Sequence, residues 1–280
     1  MTFKRLLQNT LWRVSPRLSC AISYIHNRHR LPNFSHPRDL SEIVFNMIIT
    51  GENKRFVPYV DKIEVRKYIE EWGLGHYLPV LYGVWDKGDD INFDELPNKF
   101  ALKSNNYCGG HLFCHDKATW DIEYARKHMD EEISKASSEI RESQYNMISP
   151  RIFAEELLED PKHIQPIDYK FMCCDGKVKG CLVAIDRGTK KGVHFLFYDK
   201  NWVKRDDFLR GPEKSYGKVE KPSNLNEMIS IAERIAKEFV AVRVDLYNIN
   251  DKTYIGELTF TPEGGMMSYF TNKAVDYLGH

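Results

Sequence analysis

The sequence predicts an α+β chain, with antiparallel strands joined by tight turns and amphipathic helices set between them. Three observations predict it. Asp175-Gly176 separates two β-rich runs in IDYKFMCCDGKVKGCLVAIDR, a strong short-range hairpin signal. AVRVDLYNI and KTYIGELTF flank Asn250-Asp251 as a second pair of strands. SNLNEMISIAERIAKEF (Ser223–Phe239) carries its apolar residues at helical spacing.

The other elements follow in order. Asp61–Gly73 (DKIEVRKYIEEWG) reads as a helix, with Ile63, Tyr68, Ile69 and Trp72 at helical spacing and Gly73 as its stop. YLPVLYGVW (Tyr77–Trp85) reads as a buried strand, irregular at Pro79, and DDINFDELP as a short helical turn. KFALK is a strand, SNNYCGG a loop and HLFC a strand. A helix with one polar face starts near Thr119, and Arg151–Asp160 begins as a strand. GVHFLFYDKNW gives another strand, and Asn224 with Glu227 offers a capping box for the helix that follows.

With 280 residues, 42% of them hydrophobic, the chain can form one large domain or two or three small lobes. Forty basic and forty acidic residues leave no net charge, which argues against a nucleic-acid partner. The six cysteines include no C-x-x-C pair, so they are expected buried and reduced, as in a cytoplasmic protein. No apolar run reaches the ~20 residues of a membrane span. The N-terminus is lopsided: Lys4, Arg5, Arg13, Arg17, Arg28, Arg30 and Arg38 all precede the first acidic residue, Asp39. With Leu6, Leu7, Leu11, Trp12, Val14 and Leu18 among them, they form a basic amphipathic segment. Such a segment can rest on anionic lipid or a partner, or dock as a helix with its charges in water.

Two stretches carry candidate chemistry. In FALKSNNYCGGHLF (Phe100–Phe113) an apolar run ends at Lys103 and a loop with Gly109 and Gly110 follows. This is either a hairpin that uses the glycines for positive φ, or a phosphate cradle of loop amides and Lys103. In the last strand pair, a three-residue loop Asn250–Lys252 sets Val242 opposite Phe260, Val244 opposite Leu258 and Leu246 opposite Gly256. The other face then pairs Arg243 with Thr259 and Asp245 with Glu257, whereas a slip of one residue mixes the faces. Two carboxylates ~5 Å apart across strands call for a cation. That cation is either Arg243, on a solvated face, or a divalent ion that also holds phosphate. Cys108 has no legible His/Asn partners for a nucleophile, and His111, Cys114 and His115 do not converge on a strand as zinc ligands would.

Taken in order, Lys103 before its loop, AEELLED, the strand lysine of DYKFM, and RVDLY…GELTFTPEGG resemble the ATP-grasp superfamily. DKIEVRKYIEE, VLYGVWDKGDDINFDELPNKFALKSNN, SPRIFAEELLED, DYKFMCCDGKVK and VRVDLYNINDKTYIGELTFTPEGG resemble its TupA-like branch, named for teichuronopeptide biosynthesis. HPRDLSEIVFNM adds to this, and the resemblance runs from about Leu31 to Gly265. It implies an ATP-grasp fold of two α+β lobes holding ATP between them. Residues 1–58 would be a basic helical lead-in, 59–160 the first part of the grasp region and 161–280 the lobe with the metal carboxylates.

The resemblance also implies roles. Lys103 would contact the α/β-phosphates and Lys170 would be the second nucleotide lysine, with Ser104, Asn105, Gly109 and Gly110 in the closing loop. Glu155, Glu156, Leu157 and Leu158 would read adenine by their backbone, and Glu159 or Asp168 would reach the ribose. Asp245 and Glu257 would bind Mg²⁺, and Arg243 would stabilise charge on the transferred phosphoryl group. Three positions depart from the family pattern: Asn106-Tyr107 for His-Gly in the loop, Thr259 for a metal-binding Asn, and Glu263 within Pro-Gly. The implied activity is Mg·ATP-dependent ligation of a carboxylate, from a small molecule or glycan, to an amine through an acyl phosphate. Its setting would be surface-polysaccharide synthesis in the cytoplasm, with the basic N-terminus touching the inner membrane face or the assembly enzymes. The alternatives are transfer of phosphate to a sugar, glycosyl transfer, or nucleotide binding by a non-catalytic assembly factor.

Overall fold

The computed structural model describes residues 10–106, 109–135, 140–211 and 217–280. Helices α1 (Pro16–Arg28), α2 (Leu40–Thr50), α3 (Val57–Val60) and α4 (Val65–Glu71) come before the first strand. Strands β1 (Leu81–Trp85), β2 (Phe100–Ser104) and β3 (Leu112–Cys114) come next, followed by α5 (Ile122–Ile133) and β4 (Ile152–Glu155). The chain continues through β5 (Asp168–Cys174), β6 (Lys177–Ile185), β7 (His194–Asp199) and α6 (Leu225–Ala236). It closes with β8 (Ala241–Ile249), β9 (Lys252–Thr259) and α7 (Asn272–Leu278). The strands form two antiparallel sheets, ordered β1-β4-β2-β3 and β7-β6-β5-β8-β9. The fold is therefore mixed α+β, as the sequence predicts.

Each sheet has its own apolar core. Ala125 and Met129 of α5 pack with Phe100, Leu102, Ile152 and Ala154 of the four-stranded sheet. Leu225, Met228, Ile231, Ala232 and Ile235 of α6 enter the larger core under the five-stranded sheet. Five cysteines (Cys20, Cys114, Cys173, Cys174 and Cys181) are buried free thiols, and Cys108 lies outside the described residues.

Four expectations change. Helix α4 covers only Val65–Glu71 of the predicted span, although Gly73 does take the expected positive φ. Its start is held back at Asp61, whose carboxylate accepts from the amides of Ile63 and Glu64. Strand β1 is an edge strand, with Leu81 and Tyr82 exposed, rather than a buried one. The capping box is not formed: the Asn224 amide donates to Thr253 Oγ1 at 2.9 Å, and Glu227 accepts from that same hydroxyl at 2.8 Å. Finally, the β8–β9 turn has two residues. Asn250 and Asp251 both adopt positive φ, and Ile249 pairs with Lys252. A bulge between Asp245 and Leu246 then restores the predicted pairing of Asp245 with Glu257, Val244 with Leu258 and Arg243 with Thr259.

The N-terminal segment is helical and docked. Arg28 is fully buried and donates to the carbonyls of Phe270 (2.7 Å), Met266 (2.8 Å) and Met267 (3.1 Å). Arg30 pairs with Asp39 and Asp276, and Arg38 with Glu42. These three cations are thus internal bonds rather than a free basic face. No helix among the described residues is long and apolar enough to cross a membrane.

Candidate active site

Alternation along the strands brings the chemistry to one side of the five-stranded sheet. Tyr169 and Phe171 of β5 point into the core, so Asp168 and Lys170 face the other way. Lys170 is opposite Asp245 on β8, and Asp245 is opposite Glu257 on β9. A cation and two carboxylates therefore lie in a row across three strands. Above them the four-stranded sheet supplies Lys103 from β2 and Glu155 from the end of β4. Between the sheets is a cavity of about 360 Å³ lined by all of these residues. That volume is within the range of small-ligand sites.

The charges are paired tightly. Lys170 Nζ is 2.6 Å from both Asp168 Oδ2 and Asp245 Oδ2. Arg243 grips Asp245 with two bonds, Nε at 2.7 Å and Nη2 at 2.8 Å, and donates to Thr259 Oγ1 at 3.0 Å. Burial works to raise the Asp245 pKa, but Arg243 and Lys170 overcome it and hold the carboxyl below its ordinary value. Asp168 goes the other way. Burial pushes it up despite Lys170 and Arg187, and its Oδ1 has no hydrogen-bond partner among the described residues. Lys103 Nζ is 2.6 Å from Glu155 Oε1. Burial presses its pKa down, yet Glu155 more than compensates and the ammonium stands above its usual value.

Glu257 is half-buried and its side chain makes no hydrogen bond or ion pair among the described residues, although its charge is felt by Arg243. Facing Asp245, it gives a pair of hard oxygen donors suited to Mg²⁺, which commonly uses one or two carboxylates and completes its shell with phosphate and water. Among the described residues no group of three or more His, Cys, Asp or Glu side chains gathers as a metal site. The Thr259 hydroxyl is already engaged by Arg243.

The loop after β2 closes a hairpin of β2 and β3, and Gly109 and Gly110 have positive φ. Gly109 lines the cavity, but Ser104, Asn105 and Gly110 do not. Asn105 anchors the root of the loop. Its Nδ2 donates to Asp61 Oδ2 at 2.9 Å, and its Oδ1 accepts from the Arg151 amide at 2.7 Å. Gly110 lies against α5, where its carbonyl is 3.0 Å from His128 Nε2. Tyr107 and Cys108 lie outside the described residues. Glu156, Leu157, Leu158 and Glu159 follow β4 along the cavity, with Glu159 bonded to Lys99 at 2.7 Å and to His115 at 3.1 Å.

Sequence reasoning missed several lining residues. Arg66 reaches from α4 to Glu155 at 3.4 Å and to the Pro79 carbonyl. Arg187, just past β6, is 3.2 Å from Asp168. His111 has a buried Nδ1 with no partner among the described residues, and burial together with Lys103 lowers its pKa to about 2, so it is neutral. A cation directly after a strand that pairs with an acidic neighbour was the available signal for Arg187. Nothing local marked Arg66, whose partner is 89 positions away.

The chain has likenesses among solved structures. It matches an L-amino acid ligase from Bacillus licheniformis at 13% identity over 85% of this chain and 47% of that one, with a TM-score of 0.46. It matches a D-alanine–D-alanine ligase from Bacillus anthracis, complexed with ATP, at 18% identity over 79% and 56%, with a TM-score of 0.41. The chain thus spans about half the length of these structures. No curated protein matches it significantly. The family described as TupA-like ATPgrasp matches residues 42–280, so the cavity between the two sheets is that of an ATP-grasp chain, and the protein belongs to the TupA-like ATP-grasp family.

Proposed function

We propose that the protein is a Mg·ATP-dependent carboxylate–amine ligase. One observation carries the reading: Lys103 from one sheet, and Lys170, Arg243, Asp245 and Glu257 from the other, line a single cavity. A triphosphate between the sheets meets cations from both sides. Lys103 and Lys170 take its phosphates, with loop amides around Gly109 closing over them and Ser104 and Asn105 fixing the base of that loop. Gly110 braces the loop on α5. The backbone from Glu155 to Leu158 holds the base, and Asp168 orients Lys170. Asp245 and Glu257 would hold Mg²⁺, which supplies neutralisation of the phosphate oxygens when bound.

The chemistry needs little beyond positioning and charge. A substrate carboxylate oxygen attacks the γ-phosphorus, and ADP leaves with the bridging electrons. The amine nitrogen then attacks the acyl carbon, phosphate leaves, and the nitrogen gives up a proton as the amide forms. Arg243 stabilises the charge in flight. Both lysines are held by carboxylates that the phosphates must displace. Binding therefore exchanges Glu155 for phosphate at Lys103, and it frees a carboxylate oxygen of Asp245. The acceptor class that the family resemblance favours is a uronic acid or amino acid of a surface polysaccharide. In that setting the enzyme works at the inner membrane face beside the assembly enzymes.

The test is ADP release with Mg·ATP and panels of uronic acids and amines. Release that requires both a carboxylate and an amine is expected. Phosphate appearing on a sugar hydroxyl selects the kinase, a shift in melting temperature with a nucleotide sugar alone selects the glycosyltransferase, and binding without turnover selects the assembly factor.

A further inference from the structure

The buried side of helix α1 carries Cys20 and Tyr24 in the core and, beside them, Ser19, Ser23, Asn27 and Arg28. Arg141 donates to Ser23 Oγ at 2.8 Å, and Asn27 Nδ2 donates to the Met266 carbonyl at 2.6 Å. The aliphatic residues face outward instead: Leu18 is 48% exposed, Ile22 50% and Ile25 39%. At roughly 100° per residue these three fall within about 60° of arc, a single stripe. Val14, 78% exposed, precedes the helix across its extended N-cap, Ser15. An aliphatic stripe on the outer face of a docked helix gains nothing in water, so it fits an apolar environment outside the protein.

The charges around the stripe narrow the occupant. Arg13 and Arg17 are exposed at its N-terminal end, as are His26 and His29 at the other. No carboxylate precedes Asp39. Aliphatic side chains with Arg13 and Arg17 at one end suit the interface of an anionic bilayer, where the chains enter the headgroup boundary and the guanidinium groups meet phosphate. We infer that the outer face of α1 binds the surface of an anionic membrane, with the helix lying in the interface and not spanning it. This rests on α1 alone and is independent of the ligase reading.

The experiment is sedimentation of the full chain with vesicles of phosphatidylglycerol in phosphatidylcholine, and with vesicles of phosphatidylcholine alone. Binding to the anionic vesicles only, weakened by salt, is expected. Leu18→Ser with Ile22→Ser, and separately Arg13→Gln, should each reduce binding, the double variant by about tenfold or more. Their melting temperatures should match the parent, because these side chains are exposed. Absence of parent binding, or undiminished binding by the double variant, overturns the inference. So does a parent that is dimeric by sedimentation velocity and becomes monomeric on Leu18→Ser with Ile22→Ser, which would assign the stripe to a second copy. Nucleotide affinity, measured on the same preparations, separates failure here from failure of the ligase reading.

Discussion

Lys170 is the residue on which the site's electrostatics turn. It is the only cation within hydrogen-bond reach of both Asp168 and Asp245 among the described residues. Lys170→Met removes it and leaves buried carboxylates short of a partner, which costs about 3–5 kcal/mol at neutral pH. The sign with pH follows from Asp245. Its pKa is depressed in the folded protein, so its stabilisation is present above the unfolded value of ~3.9 and lost as the pH falls through the folded one. The gap between Lys170→Met and the parent should therefore narrow in urea titrations as the pH drops below about 4. A constant gap would mean that the lysine acts through packing. Glu257 makes the contrast. Without hydrogen bonds to lose, Glu257→Gln should change stability by less than ~0.5 kcal/mol. If it holds Mg²⁺, the same change should lower kcat/KM on the order of a hundredfold, about 3 kcal/mol. An unfolded variant, or full activity, would contradict that division. Asp245 and Glu257 were legible because strand register and charge type are both written locally, whereas Lys170 and Asp168 were reached through the family resemblance. Arg66 was not legible, since it acquires its role from a partner that only the fold brings near.

At the scale of elements, the β8–β9 hairpin shows what sequence parity can and cannot decide. Keeping one face apolar requires Asp245 opposite Glu257, and that pairing is observed. Parity alone suggests a three-residue loop. The chain instead combines a two-residue turn with a bulge at Gly256, and the two together give the same shift of one residue. A glycine inside a strand is a bulge signal, and it was the missing clue. A Cβ on Gly256 would come within 2.7 Å of Tyr247 Cε2, so the ring must move. Tyr247 lines the cavity, and Arg187 stands against it. Gly256→Ala is therefore expected to cost about 1–3 kcal/mol by overpacking and to weaken ATP binding, which calorimetry would read directly. Unchanged affinity would show that the bulge sets register alone. The cap of α6 failed to be legible for a related reason: Asn224 is used by Thr253 on β9, a contact from the helix to the sheet rather than within a helical turn.

At the scale of the whole molecule, the site belongs to neither sheet. The four-stranded sheet has a small core of its own, and the five-stranded sheet shares the larger one with the N-terminal helices and α7. Arg28 of α1 ties that lead-in to the turn after β9, through the carbonyls of Met266 and Met267. The smaller sheet thus has less burial to hold it, and its edge strand β1 is half open. A ligand that engages Lys103 and Lys170 together links the two cores and binds only the folded arrangement. Held at about 100 times its Kd, it should stabilise by about 2.7 kcal/mol. Amide hydrogen exchange distinguishes where that energy goes. Without nucleotide, the amides of β2 and β4 should exchange faster than those of β5 and β8, because local stability follows local burial. With Mg·ATP, protection should rise in both sheets, and most in β2 and β4. Protection confined to β5 and β8 would mean that the nucleotide rests on one sheet only, and that Lys103 takes no part in holding it.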